Sequence, residues 1–152
     1  MKQVERDLDD LSALTHEIYG LAEEGSEALI CVVAFQGDYG VGRRGAGDAA
    51  YMRGAVMASI SAWHTACLVL DLRELGYSWG GELLTVLQAP HEFADENDDN
   101  VFPVLVVASD DNCQALRGLL ETADEDVDRW LFDSMDRALE AALLEVHRFL
   151  GV

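Results

Sequence analysis

The chain has 152 residues with 29 Asp and Glu against 10 Lys and Arg, a formal net charge of -19, and a hydrophobic fraction of 50%. That length and apolar content suit one compact domain, while the charge argues against nucleic acid and anionic membrane surfaces, which need clustered cations. Lys2 is the sole lysine, which excludes a phosphate-cradling Walker loop, a Schiff-base enzyme and a receiver domain.

Apolar residues Val4, Leu8, Leu11 and Leu14 follow helical spacing, so the sequence predicts a short amphipathic helix as an extension (1–13) ahead of a single domain (14–152). Residues 15–22 stay open between helix and strand, and Glu24, Gly25 and Ser26 supply a turn. The run ALICVVAF (28–35) reads as a buried strand. A Gly-rich loop (37–47) follows, and Asp48 is the expected cap of a helix whose apolar stripe is Tyr51, Ala55, Val56, Met57, Ile60 and Trp63. CLVLDL (67–72) is a second buried strand, followed by the loop RELGYSWGG and a helix over 82–88 that Pro90 closes. Residues 91–100 read as a solvated acidic loop, and FPVLVVA (102–108) as a third buried strand. Ser109 or Asp110 is the expected cap of a helix over 113–122, an acidic patch covers 123–128, and a short strand is expected at 129–132. Asp133 or Ser134 then caps the final helix. Strands alternating with helices give an α/β fold with four to five mostly parallel strands and packed helices.

Cys31, Cys67 and Cys113 are odd in number, lie in or beside apolar runs, and read as reduced thiols of a cytoplasmic protein. No segment reaches the about 18 apolar residues of a membrane span. His16, His64, His91 and His147 lack ligand spacing, so neither a metal nor a cofactor is expected. Residues 95–100 echo the start of a calcium loop but carry Asn100 where Gly belongs and Val106 where Glu belongs, leaving a solvated charge run. Gly40, Gly42 and Gly45 satisfy the string G-x-G-x-x-G, with Asp71 on the next strand, although the first glycine falls well beyond the predicted strand end. Arg43 and Arg44 in that loop are adjacent cations on an acidic chain, suited to a partner or an internal carboxylate. Tyr77, Ser78, Trp79, Gly80, Gly81 and Glu82 lie between a strand and a helix, where open α/β sheets place their sites. The two aromatics either plug the sheet edge or anchor a partner, and the helix start offers backbone N–H groups to an anion.

Three stretches, ALICVVAFQGD, CLVLDLRELGYSWGGELL and VLVVASDDNCQALRGLLET with WLFDSMDRALEAAL after it, resemble the STAS domain of bacterial anti-sigma-factor antagonists. The resemblance covers residues 14–145 and implies that 15–22 form the first strand of an opening hairpin. It further implies a regulatory module that binds a partner protein. Phosphorylatable members carry Asp-Ser-Ser-Gly in the loop where this chain has Trp79, Gly80, Gly81 and Glu82, so the regulatory serine is absent from its register and Ser78 is only a neighbour. Glu82 would supply a standing negative charge there. The stretch YSWGGEL is also similar to the oxyanion segment of crotonase-type acyl-CoA enzymes.

Together these features point to a non-catalytic, acidic, STAS-like protein-interaction module. Its expected contacts are Tyr77, Ser78, Trp79, Gly80, Gly81 and Glu82 with Asp38, Arg43 and Arg44, and its partner a protein of basic character. An immunity protein occluding a basic toxin, and a crotonase-like or nucleotide-binding small enzyme, are the alternatives. Homo-oligomerisation stays open, as does the origin of the acidity in binding, salt adaptation or genomic base composition.

Overall fold

A computed structural model describes residues 1–22, 24, 30–93, 101–123 and 126–151, with the backbone alone at 92 and 93. The predicted turn at 25 and 26, most of the acidic loop at 91–100, the calcium-like stretch and part of the 123–128 patch lie outside the described residues. Among the described residues five strands form one sheet in chain order: β1 Thr15–Leu21, β2 Ile30–Asp38, β3 Cys67–Gly76, β4 Val104–Val107 and β5 Leu131–Phe132. β1 runs antiparallel to β2, and β2 through β5 are parallel. The helices are α1 Arg43–Trp63, α2 Leu83–Gln88, α3 Cys113–Thr122, α4 Val127–Trp130 and α5 Met135–Leu150.

Continuous apolar runs form the central strands because both faces of the sheet are covered. In β2, Cys31, Val33 and Phe35 face a core built with Tyr51, Met52 and Val56 of α1, Leu83 and Val86 of α2, and Leu116 of α3. The alternate residues Ile30 and Val32, with Val69, Leu105 and Val107, face Ala138, Ala142 and Val146 of α5. The final helix is capped as expected at Ser134, whose Oγ accepts a hydrogen bond from the Arg137 backbone N–H at 3.4 Å, and it ends at Gly151 in the left-handed region (φ 72). On α5 the buried carboxylate of Glu145 accepts from Arg129 Nε and Nη2 at 3.0 and 2.7 Å and from Arg148 Nη1 at 2.9 Å, tying α4 to α5.

The N-terminal helix does not form: residues 8–10 make one 3-10 turn, and the leucines instead lie along α1. A Cβ placed on Gly54 would sit 3.0 Å from Leu8 Cδ2, and one on Gly47 would strike the Leu11 carbonyl oxygen at 2.5 Å. A short helix gains little by itself, so docking on bare helix backbone prevails.

Helix α1 opens at Arg43, with Gly42 as its cap residue, rather than at Asp48, which lies buried inside it. The predicted Gly-rich loop 37–47 is therefore mostly strand end and helix start. Of the predicted stripe, Tyr51, Ala55, Val56 and Ile60 are buried, Met57 is half-buried and Trp63 is 54% exposed, while Met52 was missed. β2 and β3 both outrun their apolar segments because 36–38 pair with 74–76, after a bulge that gives β3 one extra residue. Pro90 ends α2 at Gln88, yet the chain continues as a 3-10 turn over Ala89–Phe93. The strand predicted at 129–132 splits into the end of α4 and β5, since the Arg129 N–H closes a helical turn onto the Asp126 carbonyl at 3.0 Å.

Candidate functional site

The carboxyl ends of β2 and β3 place two loops side by side. Tyr39, directly after β2, donates its backbone N–H to the Gly76 carbonyl at 2.8 Å, and its ring meets that of Tyr77 edge-on at 5.4 Å between centroids. The Tyr77 hydroxyl donates to the Gly80 carbonyl at 2.9 Å, closing the turn that carries Ser78 and Trp79. Gly80 adopts φ +135, and a Cβ there would lie 3.2 Å from the Tyr39 ring, so this position needs glycine on both counts. The Leu83, Leu84 and Thr85 N–H groups bond to the carbonyls of Gly80, Gly81 and Glu82, turning the loop into α2. The Thr85 hydroxyl also donates to the Glu82 carbonyl at 2.6 Å and accepts from Arg53 of α1 at 2.6 Å.

Two buried polar residues hold this scaffold. Asp48 accepts the Gly40 N–H at 2.7 Å and the Ser12 hydroxyl at 2.5 Å, tying the N-terminal segment and the β2–α1 turn to one carboxylate. Asn112, which precedes α3, is 1% exposed. Its Nδ2 donates to the Leu72 and Leu75 carbonyls at 2.7 and 2.9 Å, and its Oδ1 accepts the Ser109 N–H at 2.9 Å. β4 pairs with β3 only as far as Asp71, so Asn112 takes over the carbonyls beyond that point. Asn112 directly precedes the first turn of α3 without a side-chain capping bond of its own, while the predicted Ser109 caps the turn that leads into it: its Oγ accepts the Asn112 N–H at 3.3 Å and its carbonyl accepts the Cys113 N–H at 2.9 Å. Neither Asp48 nor Asn112 has a sequence signal for these roles.

The predicted contact residues divide by depth. Tyr77 is buried and Gly80 half-buried, whereas Ser78, Gly81, Glu82, Asp38, Arg43 and Arg44 are exposed and Trp79 is 65% exposed. Tyr77 therefore plugs the sheet end and Trp79 does not. Among the described residues Arg43 and Arg44 form no ion pair with a carboxylate. Tyr39, absent from the predicted set, is 7% exposed, and its hydroxyl has no hydrogen-bond partner among the described residues. Burial first, then the neighbouring Tyr77, pushes this phenol up to about 12.

The glycine string fits the chain differently than its spacing suggested. Only Tyr39 separates β2 from Gly40, and α1 begins inside the string. Gly45 packs so closely that a Cβ would meet the Gly40 carbonyl oxygen at 2.6 Å, while the Gly40 N–H is consumed by Asp48 rather than offered outward. Asp71 is held by Arg73 through bonds of 2.9 Å to Nε and Nη2. Among the described residues no group of His, Cys, Asp and Glu is arranged to hold a metal ion.

The strand order, the antiparallel opening hairpin and the helices on both faces have a counterpart among solved structures. An anti-sigma factor antagonist from Mycobacterium paratuberculosis superposes with a TM-score of 0.60 at 20% identity, over 86% of this chain and 95% of that one. The chain has a STAS-like fold. No family model and no curated protein sequence matches it. Within the STAS-like fold the opening strand is the edge strand β1, which settles residues 15–21 as strand. Gly80 and Gly81 stand where the resemblance puts hydroxyl side chains, and neither carries one. No helix among the described residues is long and apolar enough to cross a membrane.

Proposed function

We propose that this chain is a non-catalytic regulator that captures a partner protein with the loop 77–82, using Trp79 as anchor and Asp38, Arg43 and Arg44 as flanking contacts. One observation carries the reading: a tryptophan 65% exposed stands on a turn whose base is fixed by buried Tyr77, Tyr39 and Gly80. A loop whose backbone is already braced loses less entropy on binding, which suits the presentation of an interface anchor. The STAS-like fold shared with an anti-sigma factor antagonist supports a regulatory role for that surface. Because Gly80 and Gly81 lack hydroxyls, capture is not gated by phosphate at those positions, and Glu82 places a fixed carboxylate at the start of α2. A basic partner suits the net charge of -19, and an immunity role against a basic toxin is the second reading that this charge favours.

The test is affinity capture from the native host at low and high salt, comparing wild type with Trp79→Ala and with Trp63→Ala, whose indole is 54% exposed on α1. The expected outcome is a partner lost from Trp79→Ala and retained by Trp63→Ala, with both variants folded. Equal capture by all three proteins removes the loop from the function.

A further inference from the structure

The face of the sheet that α5 covers is only half covered. Ile30, Val32, Val69, Leu105 and Val107 pack under Ala138, Ala142 and Val146, and the apolar cluster ends there. Further along the same strands, Ala34, Gln36, Asp71, Arg73 and Glu74 join Glu17 and Tyr19 of β1 around an open cleft of about 440 Å³. The register sets Glu17 beside Ala34, and Ala34 beside Asp71, so the cleft crosses three strands. Tyr19 is 42% exposed within it. Its phenol is pushed upward by partial burial and next by the Asp71 charge, which places it near that carboxylate. Among the described residues lining the cleft Arg73 is the only cation, and both its Nε and Nη2 are engaged by Asp71. That pair is internally neutral, and although Arg73 also feels the Glu74 charge, the described lining residues carry three carboxylates against one cation, an excess of two.

We propose that this bare half of the sheet is a docking surface for a basic segment of a partner protein, whose arginine or lysine side chains pair with Glu17 and Glu74 and lie along the Tyr19 ring. Charge complementarity selects the occupant. The cleft has an excess of two carboxylates on a chain of net charge -19, which disfavours a second copy of this chain, nucleic acid or an anionic lipid surface. An aromatic ring beside carboxylates suits a guanidinium or ammonium group through its face as well as its charge. The cleft shares no lining residue with the 77–82 loop, so substitutions can test the two surfaces separately.

The experiment uses the full chain and a short synthetic peptide alternating Arg with Thr, with a Gln-for-Arg peptide as the uncharged comparison. Backbone amide shifts locate binding, and calorimetry measures it, in wild type, in Glu17→Gln with Glu74→Gln, and in Asp136→Asn with Glu140→Gln. The last pair removes the same charge from exposed positions on α5. The expected result is shifts confined to 17–19, 34–36 and 71–74, with affinity about tenfold lower in the first double variant and nearly unchanged in the second. Tyr19→Ala weakens binding in the same assay. Shifts spread over the whole surface, an equal loss in both double variants, equal binding of the Gln peptide, or no binding of the Arg peptide would each overturn the proposal.

Discussion

Replacing Asn112 with Ala removes a side chain that answers three backbone groups at once: the buried Leu72 and Leu75 carbonyls and the part-buried Ser109 N–H. Each lost bond is worth about 1 kcal/mol net, and stranding a buried partner adds to that, so the three together cost about 3–5 kcal/mol. In a chain of this length that lowers the melting temperature by about 6–20 °C. Urea unfolding followed by circular dichroism reads the loss directly, provided the slope against denaturant stays constant. Asn112→Asp sharpens the test, because a carboxylate still accepts the Ser109 N–H but confronts two carbonyl oxygens with no proton. Its folded pKa is then raised above the ordinary ~3.9, so the variant is relatively most stable at low pH and loses stability as pH rises through that raised value. A loss below about 1 kcal/mol in Asn112→Ala, or an Asn112→Asp deficit that does not shrink on acidification, would refute the claim that this amide holds the end of β3.

Tyr39, with its folded value of about 12 above the ordinary 10.0, leaves stability undiminished below pH 10, where it is neutral in both states, and lowers it progressively as pH climbs from 10 toward 12 and the unfolded chain ionises first. The amount is up to about 2–3 kcal/mol. Tyr39→Phe should flatten this alkaline limb while leaving neutral stability equal or slightly higher; parallel pH curves for the two proteins in urea would count against it. Burial pushes the Cys31 and Cys67 thiols up, whereas Cys113 is half-buried at the start of α3, so alkylation of the native protein should label Cys113 first. Mass spectrometry showing Cys67 modified before Cys113 would contradict the packing. Glu145→Gln weakens the hold on Arg129 and Arg148 and should cost about 1–2 kcal/mol, discounted because both arginines reach solvent. A neutral result in thermal unfolding would show that the network contributes no net stability.

The cores of β2, β3 and β4 were legible because strands buried on both faces must be apolar at consecutive positions, and 31–35, 67–70 and 104–107 are. Their ends were not. Gln36, Gly37 and Asp38 lie opposite Glu74, Leu75 and Gly76 where α5 no longer covers the sheet, so polar residues continue as strand without an apolar signature. The start of α1 was hidden for a related reason. Gly42 and Gly45 read as part of a Gly-rich loop, yet Gly45 is there because the Gly40 carbonyl leaves no room for a Cβ. The exposed Trp79 loop was found from its composition and its place after β3. Tyr39 and Asn112, which hold that loop, were missed because their partners lie far away in sequence, and nothing local distinguishes a bracing tyrosine or a reaching asparagine from an ordinary turn residue.

Helix α1 contains Gly45, Gly47 and Gly54, which together cost about 2–3 kcal/mol of intrinsic helicity relative to alanine. At Gly47 and Gly54 the missing side chains are where Leu11 and Leu8 lie. The usual remedy of replacing helical glycine with alanine therefore reverses sign at Gly47, since the new methyl group would meet the Leu11 main-chain oxygen. The helix and the first residues of the chain consequently order as one cooperative unit, and a ribosome that has just released α1 has already supplied the strand of chain that completes it.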